Sequence, residues 1–173
     1  TKTAIKSAEA YDTARYCLMD TLGCGFEALE YPACTKLLGP IDPETVTPRG
    51  AKVPGTKYQL DPVQAAFNIG TMVSWLQVND PALATASGRF ADNLGAILAV
   101  ADYRARKAIA EGESPPRVHD LFAALVRAHE LASLEWARSV GGNAAFAATD
   151  GKLASAGAAA RCALVSSLNY RRG

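Results

Sequence analysis

Histidine is scarce in this chain of 173 residues, which holds only His119 and His129. Neither stands at useful spacing from a carboxylate and a nucleophile, and His119 beside Asp120 reads as a solvated helix end. Net charge is nearly absent as well: it is +1 at pH 7, with a pI near 7.6. That balance leaves no electrostatic footprint for nucleic acid or for an anionic membrane surface. No apolar run reaches the length needed to span a bilayer. The four cysteines, Cys17, Cys24, Cys34 and Cys162, lack metal-ligand or CxxC spacing. They read as buried thiols, so no metal, cofactor or disulfide follows from them. No internal repeat or low-complexity tract is present. At 18.2 kDa the chain suits a single domain with one core.

What is there is helical periodicity. Ser7 or Ala8 to Leu29 reads as a first helix with Ala14, Cys17, Leu18, Thr21 and Leu22 on one face. Gly23 and Gly25 fall inside it, each costing about 1 kcal/mol relative to alanine, and close approach of a neighbouring helix is the usual compensation. A phosphate-binding reading of that Gly-Cys-Gly is poor, since no strand precedes it and no P-loop lysine follows. Pro32 opens a short helical segment that ends at Gly39-Pro40.

Residues 41–59, IDPETVTPRGAKVPGTKYQ, cannot be helical, because Pro43, Pro48 and Pro54 interrupt them and Gly50 and Gly55 favour turns. Val46 and Val53 around Pro48-Arg49-Gly50 permit a small hairpin or an ordered loop. A surface connector is the plain reading of this stretch, and a partner-binding loop is the other.

Asp61-Pro62 is a capping residue followed by a proline at the first helical position, and starts a helix carrying Val63, Phe67, Ile69, Met72, Val73 and Leu76 near helical spacing. Pro81 ends or kinks it at Asp80. The next helix opens at Asp92 and turns Leu94, Ile97, Leu98, Val100 and Ala101 inward. It becomes basic at Arg104, Arg106 and Lys107, where cations suit the helix dipole. Glu111 to Pro116 closes that helix and starts another, with Ser114 as its cap and Leu121, Phe122, Leu125, Val126 and Leu131 as its core face. Beyond Glu130 the chain is rich in alanine, glycine and serine, with a last helix expected from about Lys152 to Leu168.

Several ungapped blocks stand in a fixed order: YDTARYCLMDTLGCGFEAL at Tyr11 to Leu29, CTKLLGP at Cys34 to Pro40, KVPGTKYQLDPVQAAFNIGTMVSWL at Lys52 to Leu76, DNLGAILAVADY at Asp92 to Tyr103, and RAHE at Arg127 to Glu130. Together they closely resemble the 2-methylcitrate dehydratase family (MmgE/PrpD). The resemblance is dense from about Tyr11 to Glu130, whereas residues 131–173 diverge. It implies an all-α architecture: residues 1–173 form one helical domain, part of the larger helical domain of the family, with one Pro/Gly-rich loop or small hairpin at about 41–59. It also implies a hydro-lyase ancestry and, from eukaryotic relatives, a mitochondrial location. The chain begins at Thr1 with no methionine and so reads as processed or as part of something longer, and Thr1 to Ala10 lacks the arginine-rich amphipathic character of a complete transit peptide.

The site residues that the resemblance implies are altered. The family's Trp-Leu-Asp-Phe-Asn-Asp-Thr-Trp-like string reads here as Trp75-Leu76-Gln77-Val78-Asn79-Asp80-Pro81-Ala82, so Gln77 replaces an aspartate and Pro81 a threonine, while Asn79 and Asp80 are kept. Gly88-Arg89-Phe90-Ala91-Asp92 occupies the place of Gly-His-Pro-Ser-Asp, which puts Arg89 at a histidine. Val140-Gly141-Gly142-Asn143-Ala144 is the nearest match to a Val-Gly-Leu-Asp-His segment, which puts Ala144 at the other histidine. Dehydrating a hydroxy acid requires a base for a carbon-bound proton and an acid for the departing hydroxyl. Gln77, Pro81 and Ala144 cannot titrate, and Arg89 remains protonated. Losing such groups removes about 10²-fold or more in rate each.

The expectation is therefore a catalytically inactive relative retained as an accessory subunit, its partners being other protein subunits of a larger assembly. Apolar faces of a partial helical domain need covering. The alternative is a 2-methylcitrate dehydratase or a fragment of one. A third reading keeps a small tricarboxylate bound by Arg89 and Asn79 without turnover.

Overall fold

The computed structural model describes residues 5–45, 47–78 and 91–142, with side chains described as far as residue 131. The architecture is all-α, with one two-stranded hairpin set against the helices. Helix α1 spans Ala8–Glu27, and Ser7 caps it by accepting a hydrogen bond from the Ala10 N–H. One 3-10 turn, Ala28–Glu30, carries the chain into the short α2, Pro32–Thr35. Strands β1, Ala51–Lys52, and β2, Gln59–Leu60, pair antiparallel. Three longer helices follow: α3, Pro62–Ser74; α4, Ala91–Glu111; and α5, Val118–Gly142.

Helices α3 and α4 form the centre. A Cβ added to Gly95 would fall 2.7 Å from the Ala66 carbonyl oxygen and 2.9 Å from the Gly70 nitrogen. Only glycine lets the two backbones approach this closely. Further along α4, the Asp102 carboxylate accepts from the Lys52 N–H at 2.8 Å, and the strand paired with Lys52 leads straight into α3. The later part of α4 therefore lies beside the start of α3, and the two helices run in opposite senses. Ile69, Met72, Val73, Leu94 and Leu125 are fully buried in the shared core.

A buried amide fastens the loop after α2 to this pair. The Asn68 Oδ1 accepts from the Gly39 N–H at 2.6 Å, and its Nδ2 donates to the Gly39 and Gln64 carbonyls. Gln64 Nε2 adds a second donor to the Gly39 carbonyl at 3.1 Å. Gly39 has φ +123°, where a side chain would be strained, and Tyr58 already fills the adjoining space.

Several expectations change here. Val63 and Phe67 are 80% and 57% exposed, because α3 turns Ala65, Asn68, Ile69, Met72 and Val73 inward. Ile69, Met72 and Val73 face inward as expected, while Ala65 and Asn68 take the buried positions in the first part of the helix. That helix ends at Ser74, well before Pro81. The hairpin turns at Pro54-Gly55-Thr56-Lys57, closed by the Val53 N–H donating to the Tyr58 carbonyl. Pro48-Arg49-Gly50 lies outside its turn, and Val46 lies outside the described residues.

Ser114 does not cap α5. The helix opens later, and the Asp120 carboxylate reaches back to the Arg117 N–H at 2.9 Å. Leu131 is exposed. Of the two glycines in α1, a Cβ on Gly25 would fall 3.0 Å from Val73 Cγ1, as close helix approach requires, but a Cβ on Gly23 would meet nothing within 4 Å among the described residues. Helix α4 ends as expected for a glycine stop: Gly112, at φ +74°, and Glu113 return hydrogen bonds to Ile109 and Ala108.

Candidate functional site

The candidate site falls where α3 ends and α4 begins. Trp75 and Leu76 are half-buried after α3, and Gln77 follows in the left-handed backbone region at φ +55°. A residue with a Cβ adopts that conformation only when its surroundings hold it there. Its side chain is exposed and carries an amide, which can donate and accept hydrogen bonds but does not titrate at neutral pH. Asn79, Asp80, Pro81 and Arg89 lie outside the described residues, as does Ala144. The structure thus brings the end of α3 and the start of α4 together through their pairing, with Gln77 exposed just beyond α3.

On the far flank, Asp92 stands exposed in the first turn of α4, where a carboxylate complements the helix dipole. Asn93 beside it is buried, and its Oδ1 has no partner among the described residues. A buried amide oxygen left without a donor is costly, which makes Asn93 a polar group of this flank that the sequence reading did not single out. The available signal was an asparagine between alanine and leucine at the start of an apolar helical stripe. Thr21 Oγ1 in α1 is the other buried oxygen without a partner among the described residues.

Other titratable groups hold the helices to one another. His119 stacks on Tyr11, with ring centroids 4.6 Å apart, and so ties the start of α5 to α1. His129 is half-buried on α5. Arg106 donates through Nε to Asp102 at 2.7 Å, and the same carboxylate oxygen holds β1. Burial pushes the Cys34 thiol up in pKa; Cys24 is pushed the same way by burial first and then by the nearby Asp20. Among the described residues no group of three or more His, Cys, Asp or Glu could hold a metal ion, and no helix is long and apolar enough to cross a membrane. Chemically, the described part of the site can orient and hydrogen-bond.

Comparison with known proteins gives this arrangement its lineage. Over 127 residues the chain is 61% identical to the 2-methylcitrate dehydratase of Escherichia coli strain K12, covering 73% of this chain and 26% of that protein. It is 51% identical over 128 residues to the "2-methylcitrate dehydratase, mitochondrial" of Yarrowia lipolytica, covering 73% of this chain and 25% of the relative. A "probable 2-methylcitrate dehydratase" of Saccharomyces cerevisiae is 45% identical over 133 residues, covering 75% and 26% respectively. The chain thus spans about a quarter of the length of the curated relatives it matches. Residues 1–171 match the MmgE/PrpD N-terminal domain, and the chain belongs to that family.

Proposed function

We propose that this chain is a scaffold derived from a 2-methylcitrate dehydratase, catalytically inactive by itself and acting as an accessory subunit that packs against other protein subunits, in mitochondria. The observation that carries the reading is the exposed, non-titratable Gln77 where the resembling family has its first aspartate. Pro81, Arg89 and Ala144 extend the pattern in sequence, because none of them can pass a proton to or from a substrate near neutral pH. The exposed apolar side chains of α1 and α3 support a role in assembly. The mitochondrial relative in Yarrowia supports the location.

A second reading is a 2-methylcitrate dehydratase, or part of one. It is favoured by the 61% identity to the Escherichia coli enzyme and by the retained Asn79 and Asp80. Incubating the purified chain with 2-methylcitrate and following loss of water separates the inactive scaffold from an active dehydratase. The scaffold reading expects a rate no higher than that of buffer; turnover abolished by Asp80→Ala supports the enzyme. Isolation from its source without any other polypeptide attached contradicts the accessory role. Residual tricarboxylate binding through Arg89 and Asn79 is checked by calorimetry with citrate, where no heat at millimolar ligand removes it.

A further inference from the structure

We draw no further inference here: the strongest candidate, the buried Asn93 in the first turn of α4, whose Oδ1 has no partner among the described residues, belongs to the candidate site already described.

Discussion

Three glycines on helices separate the roles that one residue type plays here. Gly23 has no neighbour for a Cβ among the described residues, so Gly23→Ala should stabilise the chain by about 0.5–1 kcal/mol by removing backbone entropy from the unfolded state. Gly25→Ala should give no such gain, because its Cβ would arrive 3.0 Å from Val73 Cγ1, and Val73 is buried with little room to yield. Gly95→Ala should cost about 1–3 kcal/mol, since the atoms met at 2.7 and 2.9 Å are backbone of α3 and cannot rotate away. Urea melts of the three variants check the order. Asn68→Ala should cost about 2–3 kcal/mol in the same experiment, as it leaves the Gly39 N–H buried without its acceptor and removes a donor from the Gly39 carbonyl. The Gly-Cys-Gly run was legible as a site of close helix approach, and half of it is. Nothing in the sequence marks Asn68 as a clamp, because its partner lies 29 residues away in a loop whose path is set by tertiary packing.

At the scale of elements, local chemistry was readable wherever it depended on neighbours in sequence. Ser7 and Asp61 cap the helices they precede, with Asp61 Oδ1 accepting from the Val63 and Gln64 N–H groups. Residues 41–59 stay free of helix because their prolines forbid it. What escaped was the choice among competing local signals. Ser114 with two prolines looks like a helix start, yet Asp120 makes the better bond to Arg117 and the helix begins there. The face of α3 was misread at Val63 and Phe67 because size was taken for burial, while Ala65 and Asn68 sit inside.

The hairpin supplies an element-scale prediction. Its β1 strand is held to α4 by the Lys52 N–H bonded to the Asp102 carboxylate, which Arg106 also engages. Asp102→Ala should release that strand, raising hydrogen exchange at the Lys52 amide while α3 and the α4 core remain protected, at a cost of about 1 kcal/mol. Unchanged protection at Lys52 would show that strand pairing alone holds the hairpin.

For the whole molecule, the buried Cys34 thiol links stability to pH. Its folded pKa is raised by burial above the unfolded value of about 8.5, so the neutral thiol is favoured in the folded state. The contribution is complete below the unfolded pKa and is lost as pH climbs through the folded one. Thermal melts from pH 8 to pH 10.5 should therefore fall more steeply for the native chain than for Cys34→Ala, with both measured under reducing conditions.

The architecture as a whole is the helical scaffold of the MmgE/PrpD family, and the exposed Gln77 after α3 carries an amide that does not titrate near neutral pH, on which the proposal of an inactive chain rests. The measurement that tests this most directly is turnover of 2-methylcitrate by the purified 173-residue chain at neutral pH. The account predicts no dehydration above the buffer rate, at any protein concentration used. Product formation that scales with protein and disappears in Asp80→Ala would contradict it.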